Sequence, residues 1–328
     1  MTNQTLAQAS DIAVWASMVL LTVAMLAFAA HLAVTGTRVR AQSVDAATRE
    51  SAADSAQQEG SADQGGGVSV LTLPPEDEPV PTRRWGVIGM QVTWLATFAL
   101  IAGVVLRGWS VGRAPLGNMY EFALAAAMFA LVIYAGWALR KDRLWLGLFV
   151  TLPVLLILGA AKLSWYTEAS QLMPSLNSIW LIIHVTVATL SVGLCVIGCA
   201  LALLYLTKDH YERKGEVPGW LAALPVSKAL ERITYGIHIV AFPLWTFTLI
   251  AGAIWAEQAW GRYWGWDPKE VWTFVIWVVY AAYLHARATS GWHPRKATWL
   301  AVAGAVCILI NYTVVNTFFV GWHSYSGI

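Results

Sequence analysis

Two residue types in this chain can do chemistry together: seven histidines, and tryptophan at unusual density in one short stretch. Between Trp255 and Trp272 stand five tryptophans (Trp255, Trp260, Trp264, Trp266 and Trp272). Tyr263, Gly261, Gly265 and the tetrapeptide Asp267-Pro-Lys-Glu270 lie among them. Tryptophan and tyrosine populate membrane interfaces without any ligand, and Trp272 and Trp277 fit that use. An aromatic belt does not require Trp260, Trp264 and Trp266 at such close spacing. Flat, rigid rings clustered this way, with glycines that permit tight turns or close backbone approach, suit a platform for a large planar ligand. The tetrapeptide reads as a helix start, with Asp267 as N-cap, Pro268 at N1 and Glu270 at N3 closing a capping box. Asp267 then sets the angle at which the next helix leaves the platform.

The elements that position these residues follow from composition. Of 328 residues, 58% are hydrophobic and 12% are charged. A soluble domain carries roughly 25% charged residues, so the chain reads as an integral membrane protein. Its net charge of +2 offers no basic face for nucleic acid. Cys195, Cys199 and Cys307 fall in apolar runs without any Cys-x-x-Cys pair, which removes a dithiol redox centre. The first 37 residues lack Lys and Arg, so the first apolar run reads as a true span, not a cleaved signal.

Eight apolar runs approach the roughly 20 residues needed to cross a bilayer, at 12–34, 86–106, 119–139, 144–161, 178–206, 234–256, 271–286 and 297–321. The fourth and seventh are short and are expected to borrow flanking residues. With both termini outside, the inner segments hold 16 of the 21 Lys and Arg residues. The positive-inside rule selects that orientation. The expected architecture is an all-α polytopic bundle in the plasma membrane, with the Trp-rich loop 255–272 on the outer face between the sixth and seventh spans. Residues 1–40 form the first span. Residues 41–84, acidic and rich in Ala, Ser, Gln and Gly, read as a disordered cytoplasmic linker. Residues 85–328 form a seven-helix domain.

This topology sorts the histidines by depth. His184 lies about six residues, or about 9 Å, below the outer end of its span. His323 follows the last span. Both share the level of the Trp-rich loop, and two imidazoles beside a planar platform point to haem. The pyrrole and vinyl edges of haem would pack on the rings, and either Arg262 or Lys269 would meet its carboxylates. His285 lies about 21 Å down its span, at a depth similar to His238 and His31, and cannot share one iron with the outer pair. Haem at both levels requires two sites. Ionisable residues at membrane depth are functional candidates by default.

These residues resemble the tryptophan-rich "WWD" signature of haem-handling membrane proteins. The chain is similar to the CcsA/ResC family of cytochrome c biogenesis proteins, one half of the system II cytochrome c synthase. The likeness covers most of 86–328. It rests on Trp255 through Trp272, Pro115-Leu-Gly-Asn-Met-Tyr-Glu121, Trp-Leu-Ile-Ile-His184-Val, Tyr283-Leu-His285-Ala-Arg287 and Phe318-Phe-Val-Gly-Trp-His323-Ser-Tyr325. The resemblance implies that His184 and His323 ligate haem b at an extracytoplasmic platform. It implies that His285 holds haem within the membrane, with the second ligand there contributed by a CcsB/ResB-type partner. It further implies export or presentation of haem and its attachment to the Cys-x-x-Cys-His thiols of apocytochrome c, as a subunit of a cytochrome c synthase. A separate thiol reductant would be needed.

Competing readings stay open on the residues themselves. The histidine levels also suit a membrane di-haem electron carrier, which would need two ligands per site within this chain. They suit a WWD-type haem-delivery protein without ligation activity, and the aromatic loop suits a solute transporter with an interfacial belt. For the inner level, His238 and His31 stand beside the partner chain as sources of the second ligand.

Overall fold

The computed structural model describes residues 2–59, 81–172 and 176–323. Among them every regular element is helical. In chain order these are α1 (Gln4–Glu59), α2 (Pro81–Val111), α3 (Met119–Ala138), α4 (Gly147–Ser164), α5 (Ile179–Lys214), the short α6 (Gly219–Ala222), α7 (Ser227–Trp260), α8 (Pro268–Ala288), α9 (Pro294–Ile310) and α10 (Asn316–Phe318). A 3-10 turn at Leu144–Leu146 leads into α4, and a π-helical segment at Asn311–Val315 joins α9 to α10. Eight helices are long and apolar enough to cross a membrane, so the chain is an all-α polytopic membrane protein. The two short runs borrow flanking residues as expected, extending to Leu144–Ser164 and Pro268–Ala288.

The linker is the departure. Residues 41–59 prolong α1 as helix, where composition pointed to disorder. Charge and low hydrophobicity drive the disorder rule, but Ala, Gln, Glu and Arg are all strong helix formers. Residues 60–80 lie outside the described residues.

The core forms where neighbouring helices meet. α1 packs along α2, and α5 along α7. α3 lies against α5 and α4, and α8 against α9. The α3–α5 seam is built from small residues: Ala123, Ala126, Ala127 and Ala130 are all buried. Small side chains let helix backbones approach closely where no hydrophobic drive acts between helices in lipid.

Local chemistry fixes the helix ends that matter for the site. Asn118 caps α3 by accepting from the Glu121 N–H at 2.9 Å. Ser178 caps α5 through the Trp180 N–H at 3.1 Å. α7 stops at Gly261, whose φ of 71° is left-handed. α8 starts with the full capping box at Asp267, with Pro268 next. These ends gather at one end of the bundle, here the tryptophan end. Ser178 Oγ donates to Gln258 Oε1 at 2.7 Å, and the Asn3 N–H donates to the Ser110 carbonyl at 2.7 Å.

A buried ionic hub stiffens this end. Glu121, fully buried, accepts from Arg107 Nε at 2.9 Å, from Arg113 Nη1 at 2.8 Å and from the Gly117 N–H at 2.7 Å. Arg107 also donates to the Thr167 carbonyl and Arg113 to the Ser170 carbonyl. The hub thereby pins the α4–α5 connection. That connection feeds Leu172 and Leu176 into a small apolar cluster with Leu181, Val185, Trp255 and Trp260.

Candidate functional site

Trp255 is the centre of the tryptophan end. It is 1% exposed, near the C-terminus of α7. The His184 ring lies parallel to it, with centroids 6.0 Å apart at 9°. The His323 ring approaches it at 5.8 Å and 59°. Trp260, one turn further along α7, meets Trp255 edge-on at 4.8 Å and His323 edge-on at 4.8 Å. Two histidines far apart in sequence are thus gathered around one aromatic pair.

Each imidazole is tied back through Nδ1. His184 Nδ1 donates to the Thr248 carbonyl at 2.9 Å, across the α5–α7 seam. Gly252 makes the space, since a Cβ there would fall 2.7 Å from His184 Cε1. His323 Nδ1 bonds Asp267 Oδ2 at 2.8 Å. In the His184 ring the bond turns Nε2 away from the Thr248 carbonyl. An Nδ1 hydrogen bond that fixes tautomer and ring orientation is the usual support of a metal-binding histidine, and a carboxylate partner also raises its basicity.

Asp267 is the joint of the site. Its Oδ1 accepts the Trp322 N–H at 2.6 Å, while Oδ2 accepts the Lys269 N–H at 3.1 Å as well as His323. The N-cap read from sequence is therefore present, and the same carboxylate orients His323. Burial alone would raise its pKa. The hydrogen bond and charge of His323, with the N–H groups of Trp322 and Lys269, outweigh burial and hold it below the usual carboxylate value. Glu270 Oε2 closes the box on the Asp267 N–H at 3.1 Å and also accepts from the Gly265 N–H at 2.8 Å. Lys269 reaches the C-terminal segment, donating to the Asn311 carbonyl at 2.9 Å and to Asn316 Oδ1 at 2.5 Å. The first turn of α8 therefore clasps the π-helical segment and the chain that carries His323.

The loop rings divide into two groups. Trp255 and Trp260 lie against the histidines. Trp264 and Trp266 form a separate edge-on pair at 5.8 Å, with Trp266 73% exposed and Tyr263 also exposed. Trp266 has a φ of 59°, rare for a bulky residue. This left-handed turn reverses the chain ahead of the Asp267 cap. Gly261 ends α7, and Trp272 is half-buried on the second turn of α8. Arg262 lies over Trp260 and Trp322, with its guanidinium carbon 5.9 and 5.4 Å from their centroids.

His285 is not part of this assembly. It is exposed on α8. Tyr283, two residues back and on the opposite side of the helix, is buried with its ring 5.0 Å from that of His238. His238 is itself buried, with Nδ1 donating to the Thr234 carbonyl at 2.8 Å. His31, on α1, faces α2, where a Cβ on Gly86 would meet its ring at 3.2 Å. His238 thus lies on the side of α8 away from His285.

Sequence reasoning missed the second role of Asp267, the carbonyl partner of His184, Trp322 as a wall of the platform, and Glu121 as a hub. Glu121 had a signal, a carboxylate inside an apolar run. The others depend on contacts between distant segments.

The donor set, two imidazoles beside flat apolar rings, is of a kind that suits haem. Among the described residues no three His, Cys, Asp or Glu side chains converge as a bare metal ion would need. The family described as "Cytochrome C assembly protein" matches residues 116–323, a stretch that contains every site residue from His184 to His323. The cytochrome c biogenesis protein CcsA of Synechococcus sp. (strain CC9902) is 33% identical over 273 residues, covering 74% of this chain and 88% of the relative. CcsA of Guillardia theta is 36% identical over 258 residues, covering 73% and 85%. CcsA of Trieres chinensis is 34% identical over 264 residues, covering 70% and 85%. The chain thus belongs to the cytochrome c assembly protein family, among its CcsA-type cytochrome c biogenesis members.

Proposed function

We propose that this chain presents haem b at the tryptophan end of its bundle and, with a CcsB/ResB-type membrane partner, supports covalent attachment of haem to Cys-x-x-Cys-His motifs of apocytochrome c. In this reading the tryptophan end faces the outside of the plasma membrane, both termini lie on that side, and the 16-to-5 split of Lys and Arg supports the orientation. The observation that carries the proposal is the pair His184 and His323. Both are tied back through Nδ1, and both lie against Trp255.

When bound, haem supplies an iron that takes imidazole ligands and two vinyl groups that accept thiols. The residues of this chain contribute position. His184 and His323 hold the ligand from two segments, Trp255 and Trp260 wall its apolar side, and Asp267 keeps His323 aimed. Orientation of this kind removes entropy from the reaction barrier. The chemistry haem would supply is addition of a thiol S–H across a vinyl double bond, and the residues named here would hold the ring while it occurs. His184 and His323 would hold the iron until the histidine of the motif arrives. Thiolates are the reactive form, and the thiols must arrive reduced. A separate reductant supplies that, since this chain has no Cys-x-x-Cys.

His285 belongs to the route by which haem reaches the platform. It lies on an exposed stripe of α8 with Phe274, Val278 and Ala282. An ionisable side chain facing lipid at that depth is costly, and a partner helix bearing the second ligand removes the cost. The burial of His238 against Tyr283 argues against the di-haem carrier, which needs both inner ligands from this chain.

The test is reconstitution with the partner and an apocytochrome. His184→Ala or His323→Ala should abolish maturation while the protein still inserts, and added imidazole should partly restore it. Normal maturation in both variants would remove these histidines as ligands.

A further inference from the structure

The platform holds a cation with donors to spare. Arg262 is the first residue after the α7 cap, and its guanidinium lies over Trp260 and Trp322. Its Nη1 and Nη2 are buried and have no hydrogen-bond acceptor among the described residues. The nearest carboxylate oxygen, Glu270 Oε1, is 3.6 Å from Nη1, an ion-pair contact beyond hydrogen-bond reach. The other oxygen of Glu270 is committed to the Gly265 and Asp267 N–H groups. Gly265 leaves the room Arg262 occupies, because a Cβ there would fall 1.0 Å from Nη1. Lys269, the other cation of the tryptophan loop, already turns two of its three donors to the Asn311 carbonyl and Asn316 Oδ1.

Buried donors without partners are costly, and a guanidinium presents its N–H groups in a fork that matches a carboxylate with two parallel bonds. Arg262 is also close to the axial site. Trp322, beneath it, precedes His323, and Trp260 contacts both the guanidinium and the His323 ring. We infer that Arg262 is the carboxylate receptor of the platform and takes a propionate of the haem whose iron lies at His184 and His323. This inference rests on the haem reading above. It chooses between the two cations the sequence left open, because Lys269 is turned to the C-terminal segment while both terminal nitrogens of Arg262 lack an acceptor among the described residues. A propionate gripped here fixes the rotation of the porphyrin about its iron–imidazole axis, and so determines which edge carries the vinyl groups toward an incoming thiol.

The test compares haem with its dimethyl ester, which keeps the ring, iron and vinyl groups but has no carboxylates. Full-length protein with its membrane partner is loaded with either compound, and release to excess apomyoglobin is timed for wild type, Arg262→Gln and Arg262→Lys. For haem, Arg262→Gln should speed release about ten-fold or more, the loss of a charge-assisted bond. Arg262→Lys, a point charge without the fork, should fall between. For the ester, all three proteins should release at one rate. Equal release of haem and ester by wild type overturns the inference. So does equal acceleration of both ligands in Arg262→Gln, which would make Arg262 a prop for the loop through Glu270. His184→Ala and His323→Ala run alongside. If they hold haem as wild type does, the haem reading itself fails. If they lose haem while the Arg262 variants do not, only the present inference fails.

Discussion

Replacing Asp267 by asparagine separates charge from shape at the joint of the site. The aspartate accepts three hydrogen bonds, from the Trp322 N–H, the Lys269 N–H and His323 Nδ1. Asparagine has one accepting oxygen, and its NH2 group cannot face a donor. With that oxygen on the Lys269 side, it still caps α8, and Asn serves as an N-cap about as well as Asp. The bond to Trp322 is then lost and the bond to His323 loses its charge. Charge-assisted bonds contribute about 1.5–3 kcal/mol, against about 0.5–1.5 for neutral ones. Partners that orient a metal-bound histidine typically change metal affinity about 10–100-fold, or about 1.4–2.8 kcal/mol. We therefore expect Asp267→Asn to release haem about 10–100-fold faster, with global stability changed by less than about 1 kcal/mol. Asp267→Ala should lose haem similarly and also lose about 0.5–2 kcal/mol of helix cap. Two assays read this: haem transfer to apomyoglobin, and hydrogen exchange at the Trp322 amide in haem-free protein. Faster exchange at Trp322 with wild-type haem retention would refute the claim that Asp267 aims His323. Unchanged exchange would refute the contact itself.

Three further outcomes follow from the geometry. Glu121→Gln leaves the buried Arg107 and Arg113 without their shared acid, and breaking a buried pair costs about 3–5 kcal/mol; thermal unfolding in detergent should show the loss, with weaker haem retention following from the loosened 165–172 segment. Gly252→Ala places a methyl against His184 and should weaken haem binding, whereas Gly159→Ala, with open space at its Cβ position, should not; equal effects on the visible spectrum would count against His184 as a ligand. In intact cells, a cysteine in place of the exposed Tyr263 should react with an impermeant thiol reagent and one in place of the exposed Lys141 should not; the reverse pattern would invert the orientation.

Most of the fold was legible in the chain because its determinants are local. Hydrophobic run length decides which segments can cross a bilayer, and eight runs gave eight spanning helices. The capping box needs only four consecutive residues, so Asp267, Pro268 and Glu270 took the roles their order implied. Helix propensity is local too, yet in 41–59 it competed with a composition rule and prevailed.

The site was legible only as a set of residue types at a common depth. Depth follows from helix rise and loop charge, which is why His184, His323 and the aromatic loop were grouped and His285 was set apart. Which face a side chain presents depends on how the helices pack, and no local pattern carries that. Packing placed His285 on the exposed side of α8 and Tyr283 on the side that meets His238. It brought Trp255 and Trp260 to the histidines and left Trp264 and Trp266 as an exposed pair. It also gave Lys269 its acceptors at Asn311 and Asn316 and left Arg262 with a 3.6 Å ion-pair contact to Glu270 but no hydrogen-bond acceptor for Nη1 and Nη2 among the described residues. Chain order thus determined the spans and the caps; tertiary contact decided which imidazole nitrogen is tied back, which rings lie against the histidines and where each loop cation points. These are properties of pairs distant in sequence, and they exist only once the helices have closed on one another.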